Sequence, residues 1–361
     1  MTRCSDKENE KQGDNGAENP NEKWEKRRKG GKHVSFPPDE QIVSGFAEHR
    51  NTDRMGERLD HRSCEALEVV LKSLHFDFIN LQAAQLEENG ASSLLDMILY
   101  YESTTHLDIS DNSSMGTSVG ALKTNKALQE LHLSSNLLNS YQDALQLGDL
   151  LRYNNTLKTL ELSNNALADA GLEELCDGLR WQTTGLKVLL LKNNHITAKG
   201  MVHLAKTLPV LKVLQVLDLG ENLLGNEGIQ VIREPLMVNC SVLQLSLAQT
   251  NITCEGAVAL AEFLAENHHI ECLDLRKNEV KLGGLMALCL ALRINRSLAS
   301  LDLDHITPQE QDEFLRETHT RLRLEITQRC LANGRLSGLA VETPEMSPSE
   351  AYGPADSMTA T

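Results

Sequence analysis

Between Phe76 and Leu298 one spacing recurs that few folds can accommodate. Leu157, Leu160 and Leu162 stand three and two residues apart, followed by Asn165, Leu167, Gly171, Leu175 and Leu179. Runs of this kind start at Phe76, Thr104, Leu128, Leu157, Leu186, Leu214, Val242, Ile270 and Leu298, at intervals of 28, 24, 29, 29, 28, 28, 28 and 28 residues. The alternating leucines make a short strand with one buried face. The Asn side chain can satisfy backbone groups at the bend, Gly171 permits a close turn, and the later leucines continue as one stripe of a helix. One strand and one helix of this size cannot bury their own apolar sides. The units must stack, which commits roughly 230 residues to one continuous core. The 24-residue interval is the exception, because Ser113 to Lys126 is too short for a full helix; a distortion is expected there.

The pattern L-x-x-L-x-L-x-x-N-x-L is that of leucine-rich repeats. The period near 28 resembles the long, helix-bearing variety found in ribonuclease inhibitor and the Ran GTPase activator. The expected fold is therefore an α/β leucine-rich repeat solenoid, a horseshoe with parallel strands on its concave face and helices on its convex face. Five segments are expected: a disordered tail at 1–31, a docking segment and linker at 32–62, the array at 63–306, a capping helix at 307–332 and a second disordered tail at 333–361. Ser63 to Leu74 reads as a helix shielding the open N-terminal end, with Ala66, Val70 and Leu74 on one side and Leu67 and Leu71 widening it. Thr307, Pro308 and Glu310 are start signals for the capping helix, whose face is Phe314, Leu315, Leu322 and Ile326, and which Gly334 stops.

The net charge is -16, and the first 32 residues contribute about +2 from nine Lys or Arg against seven Asp or Glu. The remainder carries about -18, which argues against nucleic acid or anionic membrane as a partner and favours basic surfaces. Eight cysteines contain no C-x-x-C pair, and the N-terminus is hydrophilic. That pattern predicts a reduced, intracellular protein, cytoplasmic and/or nuclear, without a secretory signal. The run Lys26 to Lys29 reads first as a solvated charge cluster, with a nuclear import signal or part of a docking segment as the alternatives. No P-loop, dinucleotide fingerprint, nucleophile elbow or metal-ligand spacing is present, so no enzyme, cofactor, metal site or small-molecule substrate is expected.

Lys32-His33-Val34-Ser35-Phe36 precedes Pro37-Pro38. It resembles the RVxF docking motif of protein phosphatase 1 regulators, with Lys32, Val34 and Phe36 at the motif positions and Ile42 and Val43 as a hydrophobic extension. Physically it is an extended peptide able to add to a sheet edge while Val34 and Phe36, two apart, fill pockets. Ser35 lies between those anchors as a possible regulatory phosphosite. The bland alternative is a linker with an idle motif. Thr343-Pro344 and Ser347-Pro348 are further candidate phosphosites in the tail.

The residue between the second and third apolar positions of each repeat faces the strand side of the array. Those residues are Asp108, His132, Glu161, Leu190, Asp218, Ser246, Asp274 and Asp302, with Glu130, Asp304 and Arg276 nearby. Either a solvated sheet face simply requires polar residues, or Asp108, Glu161, Asp218, Asp274 and Asp302 form a ladder for a basic partner.

Taken with the repeats, the segments KHVSFPPDEQIVSG, SYQDALQLGDLLRYN and TNITCEGAVALAEFLAE resemble the protein phosphatase 1 regulatory subunit 37 family over roughly residues 23 to 331. The resemblance implies a non-catalytic subunit that binds the phosphatase catalytic subunit and inhibits it. The chain looks shorter than that family between Phe46 and Gly56 and near Ser113 to Lys126. A small-GTPase regulator of the Ran type is the alternative, and it leaves KHVSF without a purpose.

Overall fold

The computed structural model describes residues 33–35, 68–86, 88–112, 116–182, 185–304 and 313–337. They fall into two compact units, the first ending at Asn194 and the second beginning at His195. The Lys26 to Lys29 run, the tail phosphosites, and Lys32, Phe36, Ile42 and Val43 lie outside the described residues, as do Thr307, Pro308 and Glu310.

The first unit holds strands β1 (His33–Ser35), β2 (Phe76–Asn80), β3 (Thr104–Asp108), β4 (Glu130–His132), β5 (Thr159–Glu161) and β6 (Val188–Leu190), adjacent in chain order. All five pairings are parallel. The register brings Ile79, Leu107, Leu131, Leu160 and Leu189 into one row, and every one of them is buried. Because side chains alternate along a strand, that row carries the core and its flanking residues meet solvent. Helices α1 (Glu88–Tyr101), α2 (Tyr141–Tyr153) and α3 (Ala168–Leu179) return the chain between strands. Helix α2 begins with a capping box, in which Ser140 Oγ accepts from the Asp143 N–H and Asp143 accepts from the Ser140 N–H. Where the sequence interval shortens and a distortion is expected, a 3-10 helix, Gly116–Thr124, stands in place of the α-helix of the other repeats.

The second unit repeats the scheme with β7 (Val216–Asp218), β8 (Gln244–Ser246), β9 (Cys272–Asp274) and β10 (Ser300–Asp302), again parallel and in chain order. Its helices are α4 (Ala198–Thr207), α5 (Gly225–Val238), α6 (Cys254–Glu266), α7 (Leu282–Leu292) and α8 (Glu313–Ser337). Both units are thus α/β leucine-rich repeat solenoids.

Buried amides hold both turns of the repeat. At the bend after each strand, Asn112 Nδ2 donates to the carbonyls of Leu81, Ile109 and Ser110, and its Oδ1 accepts from the Leu86 N–H. The N–H groups of Asn112, Asn136 and Asn165 donate in turn to Oδ1 of Asn136, Asn165 and Asn194. Thr250 takes the asparagine's place in one repeat, donating to the Leu247 carbonyl at 2.7 Å. A second ladder lies where each helix gives way to the next strand. Asn125, Asn154, Asn239, Asn267 and Asn295 are buried there. Asn154, for example, donates to the Leu122 and Asn125 carbonyls and accepts from the N–H groups of Thr156 and Leu157. Buried backbone groups without partners are costly, and one amide side chain satisfies up to four of them.

Three sequence expectations need correction. Gly171 does not form the turn. It lies inside α3, where an added Cβ would sit 3.0 Å from the Leu167 Cβ, while the positive φ values belong to Asn164, Ala166 and Ala168. In the N-terminal cap, the helical stretch 68–73 buries Leu71, but Val70 and Leu74 are about 40% exposed, so the expected face is only partly covered. At the other end, α8 runs through Gly334 to Ser337, and Phe314 is exposed. Of the expected face Ile326 is buried, and closure is completed by buried Cys330 and Asn333. Asn333 Nδ2 reaches the carbonyls of Asn295 and Leu298, copying the second ladder, so the helix supplies in one residue what the next repeat would have supplied.

Candidate functional site

The strand face is the surface that the repeat geometry builds. In the first unit the register sets Asp108 beside His132, His132 beside Glu161 and Glu161 beside Leu190. In the second it sets Asp218 beside Ser246, Ser246 beside Asp274 and Asp274 beside Asp302. The positions read from sequence therefore align in two sections, with His132 between Asp108 and Glu161 and Ser246 between Asp218 and Asp274.

Much of its charge is already engaged. His132 Nδ1 and Glu161 Oε2 are 2.6 Å apart, and His106 Nε2 lies 3.4 Å from Glu130 Oε1. Hydrogen bonding to Glu161 raises the His132 pKa above its ordinary 6.5 against the opposing effect of burial. His132 in turn lowers the Glu161 pKa below 4.5. Hydrogen bonding to Glu130 raises His106 likewise. Arg276 embraces Asp274 through Nε and Nη2, at 3.0 and 2.6 Å. Asp108, Asp218 and Asp274 each also accept from a backbone N–H two residues on, at Ser110, Gly220 and Arg276. These carboxylates close the bend after the strand as well as facing solvent. Asp302 is exposed, and among the described contacts its carboxylate accepts from the Ser300 hydroxyl at 3.2 Å.

The docking segment departs from its expected place. Rather than standing apart from the array, His33–Ser35 forms β1 and pairs in parallel with β2, His33 opposite Phe78, Val34 opposite Ile79 and Ser35 opposite Asn80. Sequence reasoning also passed over an exposed aromatic corner. The Arg152 guanidinium lies 5.0 Å from the Trp181 ring centroid and 5.8 Å from that of Tyr153. Arg152, Asp177, Arg180 and Trp181 line an open hollow of about 410 Å³. The two rings are more than half exposed. The sequence signal was RYN followed one period later by RWQ, aromatics in a chain with few.

Among the described residues, no group of three or more His, Cys, Asp or Glu is placed to hold a metal ion, and no helix is long and apolar enough to cross a membrane. The described cysteines carry free thiols, with Cys330 pushed up to about 12 by burial.

A family model for the Leucine Rich repeat matches residues 153–176, 238–261 and 266–289. These stretches hold the asparagines, leucines and parallel strands described above. The chain carries leucine-rich repeats. It is 41% identical over 218 residues to protein phosphatase 1 regulatory subunit 37 of Bos taurus, covering 44% of this chain and 31% of that one. The protein of the same name from Danio rerio is 38% identical over 224 residues, 45% of this chain and 24% of its own. The leucine-rich repeat chain thus spans less than a third of the length of these curated relatives. A solved structure of the yeast Rad7 and Elc1 complex covers 70% of this chain and 63% of its own, at 18% identity and a TM-score of 0.49, a likeness too slight to argue from.

Proposed function

We propose that this leucine-rich repeat protein is a non-catalytic regulatory subunit. It binds the protein phosphatase 1 catalytic subunit through Lys32, Val34 and Phe36, with Ile42 and Val43 extending the contact, and inhibits it. The observation that carries the reading is the coincidence of two independent features. Relatives at 38–41% identity are named as regulatory subunits of that phosphatase, and an RVxF-type segment precedes the repeats in this chain. Two apolar side chains at period two on a short peptide suit insertion into adjacent pockets beside a sheet edge. A small-GTPase regulator would use only the repeats and leave that segment unexplained.

A peptide that anchors does not itself obstruct catalysis, so inhibition takes a second contact, which we assign to the acidic strand faces. Replacing Asp218, Asp274 and Asp302 by Asn keeps an oxygen acceptor for the bends while removing three charges. The triple variant should inhibit less and show a flatter salt dependence. An unchanged salt slope would remove the strand face from the mechanism. The docking half is tested by capture of the catalytic subunit with the full chain. Val34→Ala with Phe36→Ala should reduce capture by about a hundredfold or more, since each buried anchor is worth on the order of 2 kcal/mol; equal capture sinks the proposal. Phosphate on Ser35 places about two negative charges between apolar anchors and should weaken binding. Equal affinity of phosphorylated and plain peptides contradicts this. The proposal places the protein inside the cell, cytoplasmic and/or nuclear, with no nucleic acid, membrane or small-molecule partner. Recovery from cells in a secreted fraction would overturn that placement.

A further inference from the structure

The segment read as the phosphatase-docking peptide is also the outermost strand of the first unit's sheet. We propose that the repeat array stores its own docking peptide: the outer edge of β2 is a binding site for residues 33–35, and phosphatase docking requires β1 to leave it. The inference rests on the docking role proposed above and adds its regulation.

Three observations carry it. First, without β1 the strand β2 would end the sheet, and an open edge presents unpaired N–H and C=O groups to any extended peptide. Second, the register places Val34 opposite Ile79, in the row that continues through Leu107, Leu131 and Leu160. On the array itself Ile79, Leu107, Leu131 and Leu160 are buried. Val34 is also an anchor of the docking role proposed above, so a segment paired with β2 is withdrawn from that role. Third, β1 is not one more repeat. Val34 and Ile79 are 45 residues apart, against 28 between Ile79 and Leu107. Residues 36–75 supply ample chain for a parallel crossover. With only three residues paired, β1 is the strand a competing sheet edge can most readily remove.

The storage equilibrium lowers the apparent affinity of the full chain in proportion to the fraction of time the peptide is free. A peptide spanning residues 23–45 should therefore bind the catalytic subunit about tenfold more tightly than the full chain does. Hydrogen exchange on the full chain alone should show the amides of residues 33–35 protected about tenfold relative to the same amides in the isolated peptide. A variant with His33→Cys and Phe78→Cys, register partners at a spacing suited to a disulfide, locks the strand without altering Lys32, Val34 or Phe36. Oxidised, with the bond mapped by mass spectrometry, it should lose at least tenfold in phosphatase affinity and regain it on reduction. The storage proposal is overturned if amides 33–35 exchange as fast in the full chain as in the peptide, or if the oxidised variant binds as well as the reduced one. A peptide that fails to bind phosphatase, while those amides remain protected, refutes the docking role and leaves the stored strand standing.

Discussion

The repeat closed by the 3-10 helix Gly116–Thr124 and the repeat closed by α3 do the same structural work with different backs. In the short repeat, Val119 and Leu122 fill the core, and Asn125 closes the turn into β4. In the regular one, α3 contributes Leu172, Leu175, Cys176 and Leu179, and packs tightly enough on α2 that an added Cβ at Gly178 would lie 2.2 Å from the Gly148 carbonyl oxygen. A Cβ at Gly120 in the short repeat would instead meet the Gln146 Oε1, the far end of a flexible side chain. Strand register and turn closure tolerate a shortened back because both are fixed by the strand leucines and the asparagines. What the shortening removes is backbone-to-backbone helix contact.

The largest expected difference is between the two glycines. Gly178→Ala forces two helix backbones apart and should cost about 3 kcal/mol in urea unfolding, whereas Gly120→Ala requires only that Gln146 swing aside and should cost less than about 1 kcal/mol. Equal costs would mean that the short repeat is as tightly backed as the regular one.

Next in size is the turn ladder. Asn125 follows the 3-10 helix and Asn154 follows α2, yet both donate to earlier carbonyls and accept from the next strand's N–H groups. Replacing either by Ala leaves several buried backbone groups unpaired, and each should cost about 2 kcal/mol. A much smaller cost at Asn125 would show that the shortened repeat has lost its turn closure along with its helix.

The smallest effect belongs to the strand face, where His132 on β4 meets Glu161 on β5. The raised His132 pKa makes its contribution complete below 6.5 and lost as pH climbs through the folded value. The lowered Glu161 pKa makes its contribution complete above 4.5 and lost as pH falls through the folded value. A double-mutant cycle with Ala at both sites should therefore give about 0.5–1 kcal/mol of coupling near pH 5.5 and little at pH 9. Constant coupling across that range would mean that the contact is not an ion pair.

Much of this architecture was legible in the chain. The strand starts, their parallel order, the short repeat and the carboxylate positions all follow from a period that neither an isolated strand nor an isolated helix could satisfy. The second asparagine ladder was legible as well, in Asn-x-x-Leu at 125–128, 154–157 and 295–298, and it was missed because those residues look like ordinary loop positions. The role of Gly171 was misread because glycine serves equally for a bend and for a close approach. Only packing distinguishes the two.

By itself, then, the sequence determined the repeat, because leucines at fixed intervals have one way to leave water together. Tertiary structure decided where individual polar groups spend their hydrogen bonds: Asp274 on Arg276, Glu161 on His132, Asn333 as a substitute for the missing next repeat. It also decided that His33–Ser35 lies on β2. An extended tripeptide with alternating side chains fits any open sheet edge, and the chain alone does not say which edge comes within reach.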